Sequence, residues 1–124
     1  MSSTRSLRSL AALAAIGVTG AAAVPAFAHA PVLGTSPQNG ATRSHVRTVS
    51  VRFGESVVTG LITVKRANGS IVAARASGLQ PSDHARMRAV FSHSLPSGKY
   101  TVSWRARADD GHREHGTFRF TVRR

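Results

Sequence analysis

Apolar and polar residues alternate in short segments over most of the chain beyond residue 30. The clearest segments are 49–53, 62–65, 100–105 and 117–122. Because successive side chains of an extended backbone point to opposite faces, each segment predicts a β-strand with one buried and one solvated face. No long segment has the 3.6-residue periodicity of an amphipathic helix. The pattern therefore predicts an all-β fold.

Segments rich in Pro, Gly, Asn and Ser separate these strands, at 36–40, 67–70, 79–82 and 95–98. The pair Asn68-Gly69 predicts a hairpin turn between strands at 60–66 and 70–75. About seven strands fit a small immunoglobulin-like Greek-key β-sandwich or barrel. The chain has no cysteine, so this sandwich has no disulfide. We expect its core to be filled by five aromatic residues, Phe53, Tyr100, Trp104, Phe118 and Phe120.

The first 28 residues have the three parts of a secretory signal peptide. Arg5 and Arg8 precede an apolar run over 10–18, and Ala26-Phe27-Ala28 forms a small-residue cleavage pattern. The apolar run is shorter than the roughly 20 residues of a transmembrane helix. We therefore predict a signal peptide at 1–28, a single domain at 29–124, and export to the periplasm or another extracytoplasmic space.

Cleavage at this position would make His29 the first residue of the mature chain. Its α-amine and imidazole can then chelate one metal ion. A second group of candidate ligands lies in 107–116, where Asp110 and His112 are two residues apart. In extended backbone these two side chains project to the same side. One amine, two imidazoles and one carboxylate suit tetragonal Cu(II).

Soft sulfur ligands are scarce in this chain. Met1 would leave with the signal peptide, and Met87 stands alone in a predicted strand, where we expect it to fill core space. Without cysteine or a methionine cluster, we expect a protein for Cu(II) and not for Cu(I).

Several short motifs follow one another along the chain. They are His29-Ala-Pro-Val-Leu33, Ser36-Pro-Gln-Asn-Gly-Ala41, Val51-Arg-Phe-Gly-Glu55, Leu95-Pro-Ser-Gly-Lys-Tyr-Thr-Val-Ser-Trp-Arg105, Asp110-Gly-His112 and Gly116-Thr-Phe-Arg-Phe-Thr-Val122. In this order they resemble the CopC family of exported copper-binding proteins. The resemblance covers the whole predicted mature chain. Gly54 stands where serine is common in that family.

The resemblance implies one Cu(II) per chain, bound by the amine and imidazole of His29, the imidazole of His112 and an oxygen of Asp110. Glu55 is a weaker candidate, as an outer carboxylate. Asp109 adds a second carboxylate, but strand alternation places Asp110 on the face of His112. His115 stands where serine is common, as an extra ligand, a hydrogen-bond partner or an exposed loop histidine.

Three further histidines have no partners at ligand spacing, and we expect them to be solvated. They are His45, His84 and His93. The resemblance also implies a physiological role, in which the protein sequesters Cu(II) outside the cytoplasmic membrane and either passes it to a membrane copper importer of the CopD type or keeps it from that importer. We expect a monomer.

The chain is strongly basic, with 17 Lys and Arg against 5 Asp and Glu and a formal net charge of +12. Residues 29–124 keep 15 of these basic residues and all 5 acidic ones, a charge of +10. The basic residues are scattered, without a recognition helix or an aromatic platform, so we expect no specific nucleic-acid partner. The alternative function is a basic immunoglobulin-like module that binds anionic cell-surface polymers without metal.

An enzyme was the third hypothesis. An N-terminal histidine with a second histidine is also the copper arrangement of lytic polysaccharide monooxygenases. A domain this small lacks the long loops of a flat polysaccharide-binding face, and a carboxylate ligand favours the harder Cu(II) ion over redox cycling. We therefore expect no catalytic activity.

Overall fold

The computed structural model describes residues 30–124, which form eight β-strands. The strands are β1 (Val32–Ser36), β2 (Ala41–Arg43), β3 (Thr48–Phe53), β4 (Val57–Arg66), β5 (Ala76–Gln80), β6 (Asp83–Val90), β7 (Gly98–Ala108) and β8 (Arg113–Val122). Within this part of the chain no helix is long and apolar enough to cross a membrane.

The strands form two four-stranded sheets that pack as a sandwich. One sheet has the order β1-β3-β6-β5 and the other β2-β8-β7-β4. All neighbours are antiparallel except β2 and β8, which are parallel. Only β5–β6 and β7–β8 are hairpins within one sheet, since the other connections cross between the sheets. The all-β sandwich is confirmed, with eight strands where about seven were expected.

The core follows from the alternation in the sequence. In β7 the buried side chains occur at every second position from Tyr100 to Ala108. All five predicted core aromatics are buried. Phe53 meets Trp104 edge to face at a centroid distance of 5.4 Å, and Tyr100 stacks on Phe120 at 5.2 Å. Such pairs add about 0.5–1.5 kcal/mol each to what burial of the rings contributes.

Other predictions about single residues are also confirmed. Met87 lies in β6 and is fully buried, as expected for a core methionine. His45, His84 and His93 are exposed.

The hairpin predicted around Asn68-Gly69 is half right. The turn forms, with Gly69 at φ +85° and the Asn68 Oδ1 atom accepting the Ser70 N–H at 3.0 Å. The second arm at 70–75 is wrong, because only a single bridge joins Lys65 to Ile71. Beyond it the chain leaves β4 and crosses to the other sheet, where β5 begins at Ala76.

Candidate metal centre

The segment that carries the candidate ligands is a tight hairpin turn between β7 and β8. The Ala108 carbonyl accepts the Gly111 N–H at 3.0 Å, and the Ala108 N–H donates to the His112 carbonyl at 2.8 Å. Gly111 has φ +86°, a conformation that glycine adopts at little cost. Three loop residues with glycine in the left-handed position form a common short hairpin connection.

The tight turn differs from the extended backbone that was expected within 107–116. Residues 107 and 108 belong to β7, and 113–116 belong to β8. The argument that strand alternation puts Asp110 and His112 on one face is wrong, because Asp110 lies in the turn and the backbone there is not extended. The same argument therefore does not distinguish Asp110 from Asp109.

A hydrogen bond joins Asp110 to His112 instead. The Asp110 Oδ1 atom accepts the backbone N–H of His112 at 2.9 Å. This bond holds the carboxylate against the residue that carries the imidazole. Both Asp109 and Asp110 are exposed, but no such bond ties Asp109 to His112 within the described residues.

The two candidate histidines of this segment lie on opposite faces of the sheet. His112, Glu114 and Gly116 continue the register of the buried residues Phe118 and Phe120, so they belong to the inner face. His115 is exposed on the outer face, directly across from Arg105. The structure therefore does not bring His115 to the side of His112.

Glu114 is a residue that the sequence reasoning missed. It is half-buried, two positions after His112 and on the same face. The i, i+2 spacing applied to Asp110 and His112 holds for His112 and Glu114, because this pair follows the turn and runs into β8. The i, i+2 spacing was visible in the sequence, but it places Glu114, and not Asp110, on the same face as His112.

The start of the described chain and Glu55 lie at the same end of the sandwich as this turn. The Gly54 N–H donates to the Pro31 carbonyl at 2.8 Å, and Ala30 is buried. Glu55 follows in the exposed loop between β3 and β4, and β4 begins with Val57 opposite Ala108, the residue that closes the turn. Three chain segments thus meet here.

All five carboxylate side chains lie at this end, which we call the carboxylate end. They lie within three residues of its loops, and they are Glu55, Asp83, Asp109, Asp110 and Glu114. The few acidic side chains of a strongly basic domain are therefore concentrated at one end. In residues 30–124 no group of three or more His, Cys, Asp or Glu side chains is placed to hold a metal ion. His29 and the predicted signal peptide at 1–28 lie outside the described residues.

Comparison with known proteins agrees with this fold. The chain matches the CopC domain over residues 32–123. Comparison with the sequences of curated proteins gives no match.

The following two are among the solved structures that are similar to the chain. CopC from Methylosinus trichosporium OB3b has 25% identity and a TM-score of 0.65, with 76% of this chain and 93% of that chain covered. PcoC, a methionine-rich copper resistance protein from Escherichia coli, has 25% identity and a TM-score of 0.64, with 77% and 100% covered. Since the domain match spans most of the sequence and the sandwich agrees with both structures, the chain belongs to the CopC family.

Proposed function

We propose that this protein binds copper outside the cytoplasmic membrane as a carrier or buffer, without catalytic turnover. One Cu(II) is bound by the α-amine and imidazole of His29, the imidazole of His112 and a carboxylate oxygen of Asp110. The observation that carries the proposal is the meeting of three segments at the carboxylate end: the chain entering at Ala30, the loop of Glu55, and the turn of Asp110.

The geometry of the chain start supports His29 as a ligand. His29 is joined directly to Ala30, and consecutive Cα atoms are about 3.8 Å apart. Ala30, to which His29 is bonded, is buried at the same end of the sandwich as His112. Removal of the 28 preceding residues would turn its peptide nitrogen into a free amine that can bind metal.

The type of ligands supports Cu(II). Nitrogen and carboxylate donors suit a tetragonal Cu(II) site, whereas thioether sulfur selects Cu(I). PcoC is described as methionine-rich, but the present chain has only two methionines. Of these, Met87 is fully buried in the core, so its sulfur is withdrawn from any surface site.

The distribution of charge supports a cation site at the carboxylate end. A domain of net charge +10 repels a divalent cation over most of its surface, and the five carboxylates reduce this repulsion where the ligands lie. In this proposal Glu55 acts as an outer carboxylate. The outer-face position of His115 does not support it as a ligand to the same ion.

The wider role follows from the family and from the predicted leader. Residues 1–28 direct export and are then removed, and the mature protein works as a monomer that exchanges Cu(II) with a membrane importer of the CopD type. Imidazole and amine nitrogens bind metal only when they are deprotonated. Acidification therefore releases the ion.

The first experiment compares two preparations, a chain that starts at His29 and the same chain with one extra residue before it. Both retain the two sheets and the core, which lie within residues 30–124. Titration with Cu(II) and electron paramagnetic resonance should show one tightly bound ion with a nitrogen-rich tetragonal signal in the first preparation only. Equal binding by both preparations, or binding by neither, would contradict the site.

A second pair of variants separates the aspartates. Asp110→Asn keeps an oxygen that can accept the His112 N–H, so the turn is retained while the charged ligand is lost. Asp109→Asn is the matched control, with the same loss of charge one residue away. We expect Cu(II) affinity to fall at least tenfold in Asp110→Asn and less than threefold in Asp109→Asn. A larger effect at Asp109 would reverse the assignment.

A further inference from the structure

Nine basic side chains lie at the end of the sandwich opposite the carboxylate end, and all nine are exposed. They are Arg43, Arg47, Lys65, Arg66, Arg75, Lys99, Arg119, Arg123 and Arg124. We call this the basic end. No Asp or Glu side chain accompanies them, because all five of those in the described chain lie at the carboxylate end.

Strand pairing brings together the basic residues of the sheet β2-β8-β7-β4. The Arg123 N–H donates to the Arg43 carbonyl at 2.9 Å, which joins the ends of β8 and β2. Lys99 at the start of β7 pairs with Thr121 near the end of β8. Arg66 at the end of β4 pairs with Tyr100. The basic residues of these four strands therefore lie at the same end of the sandwich.

The other sheet contributes to the same end. The Arg75 N–H donates to the carbonyl of Val90, the last residue of β6, at 2.8 Å. The Arg47 carbonyl accepts the N–H of Phe91, the next residue, at 2.8 Å. Both residues thus lie where β6 ends and β3 begins, which is the end opposite the loop of Glu55.

The electrostatics of Tyr100 agree with this clustering. Burial raises the pKa of the phenol, while the positive charges of Arg66 and Arg124 act to lower it. Two guanidinium groups, one at the end of β4 and one beyond the end of β8, are therefore close enough to act on one side chain at this end.

The charge of the domain is thus divided unequally between its two ends. The basic end has nine positive side chains, while the other six Lys and Arg of residues 29–124 are offset by five carboxylates. The formal charge of the side chains is +9 at the basic end and +1 over the rest. A domain with such an asymmetry is oriented by a negatively charged surface.

We propose that the basic end binds the surface of an anionic phospholipid membrane and that the carboxylate end then faces away from it. The cations come from the ends of both sheets and not from one groove, so they match an array of phosphates better than a single acidic peptide. Within residues 30–124, the only large exposed apolar side chain beside them is Ile71. Binding is therefore electrostatic and falls with salt. It requires no metal.

The test uses vesicles of phosphatidylglycerol and phosphatidylcholine in equal parts, with pure phosphatidylcholine as the neutral reference. One variant of the chain starting at His29 carries four changes at the basic end: Arg43→Gln, Arg75→Gln, Lys99→Gln and Arg123→Gln. A matched variant loses the same charge elsewhere: Arg52→Gln, Arg105→Gln, Arg107→Gln and Arg113→Gln. All eight positions are exposed, and circular dichroism checks that both variants are folded.

Each basic residue close to an anionic surface contributes about fivefold to partitioning. We expect the basic-end variant to lose at least tenfold in vesicle affinity at 0.1 M salt and the matched variant less than threefold. Equal losses would show that only net charge matters and would overturn the proposal. Failure of the unaltered chain to bind anionic vesicles would also overturn it, and binding to polyglutamate in that case would indicate an acidic polypeptide instead.

Orientation is measured separately with a fluorophore on a single introduced cysteine, since the chain has none of its own. Ser44 is exposed at the basic end and Ser56 is exposed at the carboxylate end. A quencher on the lipid headgroup should quench the label on Ser44→Cys and leave the label on Ser56→Cys almost unchanged. Equal quenching at both positions would contradict oriented binding.

Discussion

Gly116 is the residue at which a single added methyl group should disturb the core most. It lies in β8 directly opposite Trp104 in β7. A Cβ atom at this position would lie 2.6 to 2.8 Å from three atoms of the indole ring. Ordinary contacts begin at 3.4 Å, so the ring would have to move by most of an ångström. Phe53 packs against the same ring and opposes that movement.

The expected cost of Gly116→Ala follows from this overlap. Overpacking a well-packed core costs about 1–3 kcal/mol. Two other glycines give a scale for comparison. At Gly60 the added Cβ would meet the Met87 Sδ atom at 2.7 Å, and this thioether is the flexible part of a side chain. At Gly34 nothing lies within 4 Å. We therefore expect a smaller cost at Gly60 and a change within about 0.5 kcal/mol at Gly34.

Urea unfolding of the chain that starts at His29 measures these differences. A small domain has a denaturant slope of about 1–3 kcal/mol per molar urea, so Gly116→Ala should lower the midpoint by about 0.5–2 M. Trp104 is the only tryptophan, so its fluorescence reports the displacement of the ring in the folded state. If Gly116→Ala unfolds at the unaltered midpoint with an unchanged emission spectrum, the close packing of Trp104 on Gly116 is refuted.

Unfolding experiments also test three predictions about variants of Tyr100, Phe53 and Ile71. The Tyr100 hydroxyl donates to the Pro96 carbonyl at 2.6 Å, so Tyr100→Phe should cost about 1 kcal/mol in urea unfolding. Burial raises the pKa of Tyr100 in the folded state, so the folded state favours the neutral phenol. The free energy of unfolding should therefore fall as the pH rises above 10. In Tyr100→Phe this part of the alkaline loss of stability should vanish. Phe53→Ala should cost about 3–5 kcal/mol by thermal or urea unfolding, whereas Ile71→Ala, at a position 62% exposed, should change stability by less than about 0.5 kcal/mol.

The sequence predicted the sandwich because its longer strands bury every second side chain. In β7 the alternation from Tyr100 to Ala108 is visible in the sequence and in the burial pattern. β2 was not predicted, because it has only three residues, Ala41–Arg43. Its pairing with β8 depends on a partner about 80 residues away, and no local periodicity can report such a contact.

The sequence indicated candidate ligands but not the backbone geometry in which the structure holds them. The pair Asp110-Gly111 is a strong signal for a tight hairpin turn, and it would have placed Asp110 outside the extended backbone. The opposite faces of His112 and His115 become evident only once β8 is known to begin at Arg113. The meeting of this turn with the loop of Glu55 depends on sheet order, which short-range patterns do not contain.

The most direct test of the copper site compares His112→Ala with His115→Ala in the chain that starts at His29. The two variants lose the same side chain from positions three residues apart, but on opposite faces of the same sheet. Removing groups that only support a metal ligand already costs about 10–100-fold in affinity. We therefore expect His112→Ala to weaken Cu(II) binding at least a hundredfold and His115→Ala to change it less than threefold. Equal losses in the two variants, or a larger loss in His115→Ala, would contradict a copper site built on His112 and the inner face of β8.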